Sequence, residues 1–227
     1  MSIDVLFQNS SWMTGLSDEE QERVKKDVQT KTILAGGYVC RRGEAPNFWI
    51  GVISGVIKVN NVTQSGKSTT LIGLAPGAWF GEGSILKEET RLYDAIAIQD
   101  SDIAFLPKGT FLWLLDRSIY FNRYLINQLN KRLGQFIGAM ENERLLNVDE
   151  RVARSLATMF NAWYPKQTMM IKISQEEVGQ LAGLSRQRVN SSLKALEENG
   201  LISLSYGEIH ILDLEKLSTY FNPISYR

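Results

Sequence analysis

Hydrophobic positions between residues 48 and 98 come in short β-branched runs separated by glycine and polar residues. They are Trp49-Ile50-Gly51-Val52-Ile53, Val56-Ile57-Lys58-Val59, Thr69-Thr70-Leu71-Ile72 and Ala95-Ile96-Ala97-Ile98. Eleven of the chain's 18 glycines fall between Gly36 and Gly109, roughly one per turn between short strands. That punctuation predicts an antiparallel barrel or sandwich, with an all-β region reaching to about residue 115. One short helix precedes it, starting at Ser17, where Ser17 and Glu20 stand at the spacing of a reciprocal cap.

The pattern then changes period. From about Ser118 to Asn147 there is no proline, and Phe121, Leu125, Leu129, Leu133, Phe136 or Ile137, and Met140 step by three or four residues. A helix of near 30 residues would be about 45 Å long. Two partners suit its apolar stripe: a second copy in a coiled-coil-like seam, or the helix's own β-domain. Gly134 and Gly138, one turn apart, allow a close backbone approach or are a tolerated cost of about 1 kcal/mol each. Residues 150–163 continue as an amphipathic helix that ends before Pro165.

Residues 174–212 carry the most chemistry. Ser174 and Glu177 form a second capping pair, and Val178, Leu181 and Ala182 make the inner face of a short helix. Gly183 supplies a tight turn and Leu184 plugs the corner. Ser185 caps a second helix whose inner face is Val189, Leu193 and Leu196, closed by Gly200. Two short helices across a glycine turn form a helix-turn-helix. The runs Leu201–Ser205 and Ile209–Leu212, joined through Tyr206-Gly207-Glu208, add a hairpin wing. Arg186, Gln187 and Arg188 occupy the exposed first turn of the second helix, where a recognition helix meets base edges. Arginine bridges guanine O6 and N7, and glutamine bridges adenine N6 and N7. Ser174, Ser185, Arg188 and Lys194 are placed to reach phosphates.

Composition changes this picture in three ways. The 25 Lys+Arg balance 25 Asp+Glu, so the case for DNA rests on those local features alone. One Cys and one His are too few for a multi-ligand metal site or a disulfide within the chain. No apolar run reaches about 18 residues, and the first residues lack a secretory pattern, so no membrane association and a cytoplasmic location are expected.

In this order of regions, and above all in Ile173 to Ile202, the chain resembles the cyclic-AMP receptor protein / FNR (Crp/Fnr) family of bacterial transcription regulators. The resemblance implies an α+β architecture. Residues 1–117 would be an N-terminal double-stranded β-helix (a β-roll of the cyclic-nucleotide-binding kind), 118–147 a dimerisation helix, and 148–227 a C-terminal winged helix-turn-helix domain. It further implies a homodimer on a two-fold symmetric promoter site in double-stranded DNA, contact with RNA polymerase, and no catalytic activity. Recognition positions carry over as Arg186, Gln187 and Ser191; the last two depart from the family's Arg-Glu-Arg and should alter the half-site.

The family's phosphate-binding cassette matches Gly81-Glu82, where the glutamate would accept a ribose hydroxyl, and Arg91, which would pair with the phosphate. Leu92 replaces the small hydroxyl that usually follows the arginine. On the helix, Phe136 and Ile137 replace a Thr-Ser pair that meets the base. A site built on hydrogen bonds loses discrimination when its donors become apolar. Tyr93 and Asp94 are also unusual beside a phosphate, and a turn-stabilising pair between Glu82 and Arg91 is the plain alternative. Three sensor readings therefore stand: cyclic AMP, another small effector, or none. No iron–sulfur cluster is expected with Cys40 alone, and no haem with His210 in the wing. Cys40 itself reads as a packed thiol in a strand.

Ser65-Gly66-Lys67-Ser68-Thr69 imitates a phosphate-binding loop, but the glycine required five positions earlier is Asn61, so a hairpin turn is predicted. Two other function classes fit the sequence less well. A cyclic-nucleotide-binding regulatory module acting without DNA would lack residues 174–212. An enzyme would need a nucleophile or metal constellation that a single His and a single Cys do not supply.

Overall fold

The computed structural model describes residues 3–62, 68–160 and 169–220. The chain opens with α1 (Ile3–Asn9), α2 (Ser11–Thr14) and α3 (Asp18–Asp27), followed by β1 (Gln29–Ile33), β2 (Tyr38–Cys40), β3 (Phe48–Val52), β4 (Ile57–Val62), β5 (Ser68–Leu74) and β6 (Trp79–Phe80). Next come α4 (Glu82–Lys87), β7 (Asp94–Ala97), β8 (Ser101–Pro107), α5 (Lys108–Arg117) and the long α6 (Ile119–Leu145). The remainder is α7 (Val148–Thr158), β9 (Met170–Lys172), α8 (Gln175–Ala182), α9 (Arg186–Glu198), β10 (Ile202–Ser205), β11 (Glu208–Ile211) and α10 (Leu214–Ser218). By contact, residues 1–57 with 75–137 form one compact unit and residues 58–74 with 138–227 a second.

Two four-stranded sheets, β1-β8-β3-β6 and β2-β7-β4-β5, make the β-roll. Its long antiparallel ladders put Gln29 opposite Phe105 and Ile33 opposite Ser101, then Phe48 opposite Pro107 and Val52 opposite Ile103. The four glycine-punctuated runs of the sequence coincide with β3, β4, β5 and β7. The predicted turn at residues 65–69 lies for the most part outside the described residues.

The region before α6 is not all-β, because α4 and α5 interrupt it. In α5 the run Thr110-Phe111-Leu112-Trp113-Leu114 resembles a strand in composition, but Thr110, Phe111 and Leu114 are its buried positions, a helical spacing. The face it turns outward is covered by cations: the Arg23 and Arg117 guanidinium carbons lie 4.3 and 5.6 Å from the Trp113 ring centroid.

The core of the first unit is aromatic. Trp12 of α2, Trp49 of β3, Trp79 of β6, Phe111 of α5 and Phe121 of α6 are all buried. Neighbouring ring centroids stand 4.5 Å (Trp49–Trp79) to 5.7 Å (Trp12–Phe121) apart, within the range favoured by tilted and edge-to-face pairs. The Trp79 indole N–H donates to Ser10 Oγ at 3.1 Å, and Ser10 Oγ in turn donates to Leu6 O at 2.7 Å. Five separate elements thus converge on one cluster, and α6 is one of them.

Helix α6 has two faces in succession. Phe121 and Leu125 are fully packed, whereas Leu129 (42% exposed), Leu133 (57%), Phe136 (64%) and Ile137 (50%) stand open in the single chain. The first turns therefore serve the β-roll's own core and the later turns present an uncovered apolar stripe. A Cβ built on Gly134 would meet nothing within 4 Å, so within the chain that glycine accommodates no close neighbour. Among the described residues no helix is long and apolar enough to cross a membrane.

Truncating Phe121 to Ala removes one ring from this cluster and should lower unfolding stability by about 3–5 kcal/mol. Chemical denaturation followed by tryptophan fluorescence measures it. A loss under about 1 kcal/mol would mean that α6 is not anchored by this core.

Candidate functional site

The helix-turn-helix is assembled from reciprocal caps. Ser174 Oγ accepts from Glu177 N at 3.2 Å while Glu177 Oε2 accepts from Ser174 N at 3.1 Å, which fixes the start of α8. Asn147 and Glu150 do the same for α7. Gly183 ends α8 in left-handed backbone, φ +66°. Gly179 is a requirement that sequence reasoning missed. Its carbonyl accepts from Leu184 N at 2.8 Å, and a Cβ there would lie 2.7 Å from Leu184 O, so only glycine lets the turn fold back on α8.

Side chains lock the three helices together. The Gln175 amide donates to Asn190 Oδ1 at 3.0 Å, joining α8 to α9, and Ser192 Oγ donates to Asp149 Oδ1 at 2.5 Å, joining α9 to α7. Arg151 Nη2 donates to Ala182 O at 2.7 Å, bracing the turn. Val189, Ser192, Leu193 and Leu196 form the buried face of α9. The opposite face carries Arg186, Gln187, Arg188, Ser191 and Lys194, all exposed. Ser185 occupies the N-cap position of α9, but its side chain makes no capping hydrogen bond. Ser191 Oγ donates to Gln187 O at 3.3 Å. Ser174 is exposed at the start of α8, with its hydroxyl engaged in the cap. A third strand, β9, which the sequence pattern did not reveal, pairs with β11 to back the wing, in the order β10-β11-β9.

The second candidate site lies where β6 meets α4. Gly81 takes left-handed backbone (φ +92°) between them, and a Cβ there would fall 2.1 Å from Arg91 Nη1. Arg91 is buried: Nη1 donates to Gly81 O at 2.7 Å and Nη2 donates to Phe48 O. Glu82 is 1% exposed, and its counter-ion is Arg132 of α6, not Arg91. The turn-stabilising Glu82–Arg91 pair is therefore not formed. Arg132 Nη1 stands 2.6 Å from Glu82 Oε1, a close ionic contact not aligned as a hydrogen bond, and Nη2 donates to Trp79 O at 2.5 Å. Neither oxygen of Glu82 accepts a hydrogen bond among the described residues.

Asp94, an oddity beside a phosphate, has a structural role: its Oδ1 accepts from Arg42 N at 2.8 Å. Arg91, three residues earlier, is stitched to the same loop by Gly43 N donating to Arg91 O and Arg91 N donating to Glu44 O. Leu92 is exposed, and burial pushes the Tyr93 phenol up to about 12. Burial likewise pushes the Cys40 thiol up to about 11, as befits a packed thiol. Arg91 also lines a cavity of about 560 Å³, with Lys31, Tyr38, Cys40, Glu44 and Phe105 among its other walls. Glu82, Phe136 and Ile137 do not line it. Arg132 is the site residue that the sequence reading missed. It lies among several basic residues of a long helix, and only the fold brings it to Glu82. Among the described residues no group of three or more His, Cys, Asp or Glu could hold a metal.

Comparison with known proteins matches both regions. Residues 30–118 match the family described as "Cyclic nucleotide-binding domain", and residues 150–220 match the "Crp-like helix-turn-helix domain". The chain is 32% identical over 165 residues to the "cAMP-activated global transcriptional regulator CRP" of Pasteurella multocida, covering 71% of this chain and 79% of that one. It is 27% identical over 205 residues to the "Cyclic AMP receptor protein" of Thermus thermophilus, covering 90% and 94%. The solved structure of FixK2 from Bradyrhizobium japonicum superposes with a TM-score of 0.72 at 17% identity, over 85% of this chain and 96% of that one, a likeness of fold.

Arg132→Met leaves the Glu82 carboxylate buried without its cation. Breaking such a pair should cost about 3 kcal/mol, toward the low end because Arg132 is partly exposed. The double variant Glu82→Gln/Arg132→Met should recover most of that loss in a denaturation series, since no lone charge remains. Simple additivity of the two single changes would show that the two residues do not act as a pair.

Proposed function

The chain belongs to the Crp/Fnr family of transcription regulators, and from that premise we propose how it works. It is a regulator with a helix-turn-helix DNA-binding domain and a domain of the cyclic nucleotide-binding family. In our reading, residues 1–117 are the sensor, 118–147 the dimerisation helix and 148–227 the DNA-binding part. A second copy of the chain covers the stripe Leu129, Leu133, Phe136 and Ile137, giving a homodimer that acts in the cytoplasm. Its two α9 helices then enter successive major grooves of a two-fold symmetric promoter site, with half-site centres about 34–36 Å apart.

The observation that carries this reading is the outward Arg186-Gln187-Arg188 turn at the start of α9, braced from behind by α7 and α8. Arg186, Gln187 and Ser191 read base edges. Ser174, Ser185, Arg188 and Lys194 hold phosphates. RNA polymerase is the expected partner once the dimer is on the promoter.

For the sensor we propose that Gly81, Glu82, Arg91, Leu92, Phe136 and Ile137 surround the effector position. A cyclic nucleotide fits that position in part. Glu82, buried and without a hydrogen-bond donor, suits a ribose hydroxyl. The phosphate side fits less well, because both terminal nitrogens of Arg91 already serve backbone carbonyls and Leu92 offers no donor. At positions 136 and 137 the side chains are apolar and exposed, so a base would find stacking but no hydrogen bonds. Each missing bond costs about 0.5–3 kcal/mol, which places cyclic AMP binding orders of magnitude below that of a fully hydrogen-bonded site.

Two measurements test these statements. Arg186→Ala should lose about 1–3 kcal/mol on a duplex selected by the wild-type protein and relax one base position. An equal loss on mixed-sequence DNA would reduce Arg186 to a phosphate contact. Calorimetric titration with cyclic AMP, and then cyclic GMP, should show no heat up to about 100 μM ligand. Micromolar binding of either would mean that Glu82 and Arg91 suffice despite Leu92, Phe136 and Ile137.

A further inference from the structure

We propose that the cavity lined by Lys31, Phe105 and Arg91 is a second small-molecule site, separate from the effector position, and that it takes the free carboxylate of an aliphatic chain. The effector position uses Glu82 of α4 and Phe136 and Ile137 of α6, and no residue of either helix lines this cavity. All of its lining residues belong to the first compact unit. Its volume of about 560 Å³ lies within the range of about 300–1,000 Å³ usual for such sites.

The apolar wall follows from strand register. Gln29 stands opposite Phe105, and Phe105 opposite Ile50. Alternate residues of a strand share a face, so Gln29, Lys31, Ile33, Phe48, Ile50 and Phe105 form one continuous surface. Within it Phe48 and Phe105 make an edge-to-face pair, centroids 5.6 Å apart, and both rings are only half-buried. The facing wall comes from β2, which like β1 is the edge strand of its sheet, and it contributes Tyr38 and the buried Cys40. Half-buried aromatic surface in a concavity gains by taking up an apolar body.

The charges favour an anion at the other end of that body. Arg91 is 2% exposed, and its terminal nitrogens serve two neutral carbonyls. No carboxylate pairs with it among the described residues, so a buried positive charge stands without a counter-ion. Lys31 is exposed on the apolar face and likewise enters no ion pair among the described residues. The Arg41 guanidinium carbon lies 3.8 Å over the Tyr38 ring, adding a third cation beside the wall. Glu44 is the one carboxylate lining the cavity, and its Oε2 already accepts from Arg41 N at 2.9 Å. Low-dielectric walls concentrate this positive field. The neutral polar side chains, Gln29, Thr30 and Asn47, sit at exposed positions, so the interior offers few directed partners for a sugar or a base. Lys31 then holds the carboxylate at the mouth while the chain lies on Phe48 and Phe105.

Calorimetric titration with sodium decanoate tests the site, with decyltrimethylammonium as a cationic probe of the same chain length. Decanoate should bind one per chain with a submillimolar Kd, and the cationic probe about tenfold more weakly or worse. Lys31→Gln should weaken decanoate by about 2- to 5-fold, the scale of an exposed ion pair. Ala45→Trp, at an exposed position of the lining, should fill the cavity and cut binding more than about tenfold with Tm unchanged. Phe136→Ala should leave decanoate binding as it is. Cys40, the chain's one cysteine, reports the location. Burial pushes its thiol up to about 11, and its slow alkylation at about pH 9 should slow further with decanoate bound. Equal affinity for the two probes, alkylation of Cys40 indifferent to decanoate, or no heat up to about 1 mM overturns the proposal. Binding that is lost in Phe136→Ala and kept in Ala45→Trp also overturns it, by placing the chain at the effector position instead.

Discussion

A carboxylate taken out of water must find a cation or give up its charge, and that constraint organises the β-roll part of this molecule. Glu82 begins a short helix at the end of β6, almost wholly buried, and none of the cations in its own segment reaches it. Arg91, nine residues on, is turned instead to the carbonyls of Gly81 and Phe48. The counter-ion comes from Arg132, three turns into the long helix. Because Arg132 also holds Trp79 O, the cassette and the helix cannot shift against each other without breaking an ionic contact and a hydrogen bond together. Any effector that competes for Glu82 therefore acts directly on α6.

The aromatic cluster sets the other end of that coupling. Phe121 lies among Trp12, Trp49 and Phe111, so the first turns of α6 belong to the β-roll as firmly as a strand does. Between this anchor and Arg132 the helix makes its transition from a packed element to an exposed one. Leu129 and Leu133 flank Arg132 in sequence, and both are open. The residues available to a second copy thus begin where the grip on the β-roll ends.

The DNA-reading half was legible in the sequence because its signals are local. Capping pairs, a glycine turn and helical spacing are all written within a few residues of where they act, and Ser174–Glu177, Gly183 and the α9 face appear in the structure as the residue types dictate. The glycine-broken runs of the β-roll were legible for the same reason. What escaped depends on distant partners. Strand β1, Gln-Thr-Lys-Thr-Ile, exposes four of its five residues and pairs only with β8 at the edge of its sheet, so it carries no alternation to read. Helix α5 has the composition of a strand and becomes a helix through the fit of Phe111 and Leu114 to the core. Arg132 and Gly179 matter through contacts made across the fold, which no spacing announces.

The departures at positions 92, 136 and 137 take their meaning from this arrangement. Hydroxyl side chains there would favour a polar ligand between the cassette and the helix. Phenylalanine and isoleucine on the helix instead extend the apolar character that Leu129 and Leu133 give to the exposed stripe, and Leu92 offers no donor. A ligand shifts a dimer only by the difference in its affinity for the two arrangements. With Glu82 already neutralised by Arg132, and apolar surface where donors would stand, little of that difference is left for a polar effector to supply. In the proposed dimer the balance between DNA-competent and incompetent arrangements would then fall to the helix seam itself, with Arg132 and the apolar residues of α6 as the positions that set it.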